Sequence, residues 1–406
     1  MTRIRRIDVL SFIVVALVAT VVAPRVLGQD DSAAPDRTIP DLGPELPSQA
    51  VNGSTIAPAL GDHCHPDFWI VSSRGCQQGL VRRSVCCRFD FARYDGQHRW
   101  SDEREFLASM KPGIPVCIVV HGSFVRPVDV VPDSVNMYRW IRAAAPEQPL
   151  HVVFYTWPSG GITTLDPRNP ASTIIPAFDI VLLGGRAEFN GFYLGRLISK
   201  IPAHHRVSLF SHSHGVRVTA SALHLIGGGK IAGRRLCACG HQGHRIRVVF
   251  AAAAIDHDWL NPGQRYGHAM YPTECLLNFK SRHDLALKIY PLQRLFARRA
   301  LGRTGFLPKD RAKLGWLKGK ISELNITHLV EYGHMIPHYY RQPRIASWMS
   351  PWLYYSDDKP PEPETVNATE DGAALDAPQN LESKPSHGSS VRESSTLITI
   401  DDDHRS

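Results

Sequence analysis

The chain has 406 residues, a formal net charge of +8 at pH 7, and 43% hydrophobic and 9% aromatic residues. That apolar content is ample for a packed core and excludes a wholly disordered chain. The basic excess comes with no RNP-type aromatic motif and no finger spacing, so no nucleic acid is expected, only a weak association of the basic body with anionic surfaces.

Residues 1–28 begin with Arg3, Arg5 and Arg6, run through "VLSFIVVALVATVVA" and end on small residues at "VLG". This is the pattern of a secretory signal peptide, its apolar run shorter than the roughly 20 residues of a spanning helix. The chain is therefore expected to be exported, with a retained N-terminal membrane anchor as the alternative. Residues 29–60 are polar and Pro-rich and read as a linker. Residues 61–356 are expected to form the folded domain. Residues 357–406 hold 12 acidic and 4 basic residues and read as an acidic disordered tail.

Export makes disulfides possible among the eight cysteines. Cys64, Cys76, Cys86 and Cys87 lie on two expected strands with a loop, "HCHPDFWIVSSRGC" and "SVCCRFDF", and at least one bridge is expected among them, its pairing left open. Cys237, Cys239, His241 and His244 form C-x-C-x-H-x-x-H, but no second cluster has zinc-finger spacing, so a polar surface loop is expected and no metal.

The middle of the chain alternates two periods. "PVCIVVHG", "HVVFYTW", "RVSLFS", "RIRVVFAAA" and "ECLLNF" are short β-rich runs, and between them lie helical patterns such as Phe189, Tyr193, Leu197 and Ile201. Strands apolar on both faces and alternating with helices predict a mostly parallel α/β sheet with helices on both faces. Ligands in such sheets bind beyond the carboxyl ends of the strands.

"VSLFSHSHGVRVTASALHL" places Ser213 just after one such strand and just before a helix expected to start near Val216. A sharp strand–turn–helix elbow that exposes a nucleophile needs small residues two before and two after it, here Ser211 and Gly215. Ser213 is also a favoured helix N-cap type. Acyl transfer needs oxyanion donors as well, expected from the amide of His214 and from the loop at Gly122 and Ser123 after "VCIVV". An acid follows "ECLLNF" at Asp284, with Asp256 as its competitor and helix capping as its other role. Past "NITHLV", read as a strand, lie His334 and His338, of which His334 is the expected base, while His338 opens "HYYRQPRIASWM" and is expected to begin the final helix and face away. His212 and His214 lie too close to Ser213 along the turn to serve and are expected to line the site or pack beneath it.

In this ordered set the chain resembles the α/β-hydrolase superfamily over roughly residues 64–355. It looks most like an uncharacterised bacterial branch of serine hydrolases with an H-S-x-G elbow, a Trp-Pro-Ser strand motif and an Ala-Ala-x-Asp segment, matched here by "SHSHG", "FYTWPSGG" and "AAAAIDHDW". The resemblance implies the α/β-hydrolase fold and a Ser213–Asp284–His334 triad acting on a small-molecule ester or acyl substrate, with no cofactor. It implies no particular substrate. The segment from Gly160 to Gly185, with its apolar "ASTIIPAFDIVLLGG" portion, is expected either to roof the site or to pack as a core helix. Two other functions remain at this stage: a non-catalytic binding protein on the same fold, and an exported metal or polyanion binder.

Overall fold

Branched and aromatic side chains dominate the strand runs, and in the computed structural model, which describes residues 65–76, 88–160, 175–236, 243–294 and 296–357, those runs form one nine-stranded sheet. The strands are β1 Phe68–Ser72, β2 Asp90–Tyr94, β3 His98–Ser101, β4 Val116–Val120, β5 His151–Thr156, β6 Val207–His212, β7 Ile246–Ala251, β8 Thr273–Lys280 and β9 Ile321–Asn325. The helices are α1 Glu103–Ala108, α2 Val130–Ala144, α3 Ile175–Lys200, α4 His214–Ile226, α5 Leu285–Ile289, α6 Leu301–Thr304, α7 Pro308–Leu314, α8 Thr327–Val330, α9 Ile336–Tyr340 and α10 Pro343–Tyr354. All of these fall in the unit Ala57–Ser406.

The strand order is β3-β2-β1-β5-β4-β6-β7-β8-β9, and only β2 runs against the rest. Side chains alternate across it with period two. Val116, Ile118 and Val120 of β4 face one core, shared with Leu194 and Leu197 of α3 and Val218 of α4. Cys117 and Val119 face the other, shared with Ile141 of α2 and Leu353 of α10. A strand covered on both faces has no polar side, so its sequence reads as an unbroken apolar run. This is the α/β-hydrolase fold.

The topology creates one crevice. From β4 the chain moves to β5 on one side and then to β6 on the other, so the connections leaving β4 and its neighbour diverge at the carboxyl ends. Ser213 and the loop beginning at His121 sit at those ends.

Several local expectations need correction. "NITHLV" is not a strand: β9 is Ile321–Asn325, and Thr327–Val330 is a helical turn. The Asn325 side-chain oxygen accepts from the Thr327 amide at 3.2 Å and from its hydroxyl at 2.6 Å, and that turn stops the strand. The elbow helix starts at His214 rather than Val216. His338 lies in the separate turn α9, and the last helix opens at Pro343. Strand β3, across a turn at Asp95 and Gly96 (φ 97°), was not anticipated, because its exposed His98, Arg99 and Trp100 show no buried period.

Other expectations fall outside the described residues: the signal peptide, the linker, the acidic tail beyond Asp357, Cys64, Cys86, Cys87, Cys237, Cys239 and His241. Cys76 is disulfide-bonded, its partner not among the described residues, while Cys117 and Cys275 are free and buried. Of the expected roof, residues 161–174 are likewise not described. From Ile175 onward it belongs to α3, where Leu183 packs into the core.

Candidate active site

The elbow is strained, and several contacts hold the strain in place. Ser213 has φ 53° and ψ −124°, a conformation costing a non-glycine residue about 1–3 kcal/mol. Its amide donates to the Ala251 carbonyl at 3.0 Å, and its carbonyl accepts from Val216 at 3.1 Å and Ala254 at 3.3 Å. A Cβ on Gly215 would stand 2.4 Å from the Val120 carbonyl oxygen, so helix α4 lies against β4 as only glycine permits. Ser211 fills the other small position because its hydroxyl hydrogen-bonds Thr219 of α4 at 2.5 Å. The Ser213 side chain makes no capping bond to α4. Its Oγ lies 2.9 Å from His334 Nε2.

Beyond that imidazole is a carboxylate. His334 Nδ1 lies 2.9 Å from Asp284 Oδ2, and Asp284 is fully buried. Its other oxygen accepts the Leu287 amide at 2.9 Å, so one side chain both caps α5 and faces the histidine. A carboxylate only accepts, so Nδ1 carries the proton and Nε2 is left to accept from Ser213. Asp256 is elsewhere, bonded by the Tyr290 hydroxyl at 2.9 Å, Arg294 at 2.5 Å and the Arg298 amide at 3.1 Å. His338 is exposed, its ring against Gly333.

The loop after β4 completes the surround. A Cβ on Gly122 would come within 3.0 Å of Ser213 Cβ, so the backbone passes close over the nucleophile. The Phe124 amide is engaged by the Ser159 carbonyl at 2.7 Å, and the Ser123 hydroxyl pairs with His214 Nδ1 at 2.7 Å. The Trp157 indole donates to the His121 carbonyl at 3.0 Å, and the Ser159 hydroxyl to Val125 at 3.1 Å. The Trp-Pro-Ser stretch therefore clamps this loop from both ends.

Hydrogen-bond roles at His121 follow from its neighbours. His121 Nδ1 donates to the Gly122 carbonyl at 2.8 Å, so in the neutral ring Nε2 accepts from the Thr156 hydroxyl at 2.9 Å, and that hydroxyl accepts from Arg74 Nε at 2.8 Å. Burial, with the Arg74 charge adding to it, holds this imidazole down to about 3. His212 is also lowered to about 3, by burial first and then by His334, and its Nε2 donates to the His334 carbonyl at 2.7 Å. His214 is lowered to about 3 by burial and the Arg217 charge. The neutral His212 ring thus lies beside the imidazole that faces both Ser213 and Asp284, with ring centroids 5.4 Å apart.

Sequence reasoning missed Arg74 and Thr156, which no motif marks, and took Trp157 only as a sign of resemblance. Among the described residues no three His, Cys, Asp or Glu side chains group as metal ligands. His244, from the C-x-C-x-H-x-x-H stretch, faces the His205 carbonyl at 3.4 Å.

No family model and no curated protein matches the chain. Similar solved structures include a mutant of the esterase rPPE and a thermostable esterase from Pseudomonas putida, each 10% identical, covering 69% of this chain and 84% of its own, with TM-scores of 0.27 and 0.26. Likeness of that degree bears on neither substrate nor mechanism.

Proposed function

We propose that the chain is an exported serine hydrolase that cleaves an ester of a small molecule through Ser213, His334 and Asp284. The observation that carries this is the continuous pair of 2.9 Å contacts from Ser213 Oγ through His334 to Asp284, on a strained elbow at the sheet's crevice. Ser213 attacks the ester carbonyl while His334 Nε2 takes its proton. His334 then returns the proton to the leaving alcohol, and water, deprotonated by the same nitrogen, releases the acid. Asp284 holds the tautomer and stabilises the imidazolium.

The oxyanion is assigned to the amides of His214, the first of helix α4's unpaired donors, and of Ser123, beside Gly122. Phe124 is the poorer donor, its amide being engaged by Ser159. Each donor is worth about 2.7–4 kcal/mol in the transition state. The route needs only protein groups and water.

The test is labelling by a fluorophosphonate together with hydrolysis of 4-nitrophenyl acetate. Ser213→Ala and His334→Ala should abolish both, and His338→Ala should change them little; labelling that persists in Ser213→Ala, or loss in His338→Ala alone, refutes the assignment. Absence of labelling in the unaltered chain favours a binding protein on this fold. Intact mass of secreted protein lacking residues 1–28 checks export, and retention of those residues overturns it in favour of an anchor.

A further inference from the structure

The rim beside the proposed site is apolar and projects into solvent. Leu285, Ile289, Leu292 and Phe296 are 53%, 52%, 84% and 95% exposed, and across from them Tyr332 and Met335 are 60% and 55% exposed. Leu285 directly follows Asp284, and Met335 directly follows His334. The His283 and Tyr332 rings stack with centroids 5.4 Å apart and 19° between planes, so the two loops present a joint face. Leu285, Ile289 and Leu292 recur at helical spacing along α5 and the 3₁₀ turn Tyr290–Gln293, while Leu287 and Tyr290 point into the core.

The projection is held from beneath. Arg294 pairs with Asp256 at 2.5 Å and Arg298 with Asp258 at 3.0 Å. From Arg282 to Arg303 the sequence has six basic residues and one acid, the buried Asp284. Arg282, Lys288 and Arg299 are exposed on this stretch, and the facing loop adds a single exposed acid, Glu331.

Exposed apolar side chains set among cations have the composition of segments that settle into the headgroup layer of a bilayer. We propose that this face docks on an anionic lipid surface and holds the mouth of the site against it. What docking achieves rests on the hydrolase reading: an ester carried in lipid reaches Ser213 without crossing bulk water. A second copy would set arginine and lysine against their own kind. The acidic tail would meet the charge, but residues 358–406 contain no aromatic residue and little to cover Phe296 and Leu292. A lipid surface satisfies both features.

The experiment is co-sedimentation of the full chain with phosphatidylcholine vesicles, with and without 30% phosphatidylglycerol. Partition into the anionic vesicles is expected, falling with added salt, and at least tenfold weaker in a Leu292→Asp, Phe296→Asp double variant. A polarity-sensitive dye on Leu292→Cys should shift to the blue with anionic vesicles alone, which reads this face directly. Ser213→Ala should partition like the unaltered chain, so docking is measured whatever becomes of the hydrolase reading. No partition into anionic vesicles, equal partition into pure phosphatidylcholine, an unmoved dye, or a dimer abolished by the double variant without vesicle binding would each overturn the proposal.

Discussion

Two buried carboxylates compete for one role, and Asp→Asn at each separates catalysis from stability. In Asp284→Asn the amide oxygen can keep the Leu287 cap, since Asn caps about as well as Asp, so stability should change by less than about 1 kcal/mol. The other side of the amide turns a donor toward His334 Nδ1, which then favours the wrong tautomer, with Nε2 protonated against Ser213. The comparable loss in a serine protease is about 10⁴ in kcat, roughly 5.4 kcal/mol of barrier. In Asp256→Asn the balance reverses. Its oxygens serve the Tyr290 hydroxyl, Arg294 and the Arg298 amide, and removing one partner of a buried ion pair costs about 3–5 kcal/mol. The lower end is expected, because the Arg294 side chain is 36% exposed. Steady-state hydrolysis of 4-nitrophenyl acetate and urea unfolding on both variants provide the two readouts. An Asp284→Asn enzyme within tenfold of the original kcat, or an Asp256→Asn enzyme fully stable but inactive, would refute the reasoning.

Gly215→Ala places a methyl 2.4 Å from the Val120 carbonyl and 2.5 Å from that of His121, so α4 must shift off β4. A loss of about 1–3 kcal/mol is expected in urea unfolding, with fluorophosphonate labelling slowed as well; unchanged values in both would mean the elbow is looser than described. Acid should weaken the fold before it protonates most carboxylates. His121, His212 and His214 are held down to about 3, against about 6.5 in the unfolded chain. Between those values the unfolded chain binds more protons, so stability rises with pH and is lost as pH falls, by about 1.4 kcal/mol per pH unit for each histidine. Urea midpoints from neutral pH down to about pH 5 measure the slope, and His212→Asn should flatten it by one histidine's share; an unaltered slope counts against His212 as a buried neutral base.

The sequence by itself determined the parallel sheet, because strands covered on both faces leave unbroken apolar runs that helical periods then separate. Ser213 was legible for a related reason: a turn that needs Gly215 and carries a hydroxyl where turn formers usually stand signals a local steric demand, and local demands are written in neighbouring residues. Positions that depend on distant partners were legible only through the order of the set and the resemblance it carries, not from their neighbours. Asp284 and His334 lie 50 residues apart, and the local pattern favoured Asp284 while leaving Asp256 as its competitor; only the packing of α5 against the loop after α8 brings Asp284 within 2.9 Å of the imidazole. The end of β9 was misplaced because apolar "NITHLV" suits strand or helix alike, and the Asn325 to Thr327 bonds decide between them. Arg74 and Thr156 left no mark at all. Their contribution is a chain of hydrogen bonds ending on His121, and such a chain exists only once β1, β4 and β5 lie side by side.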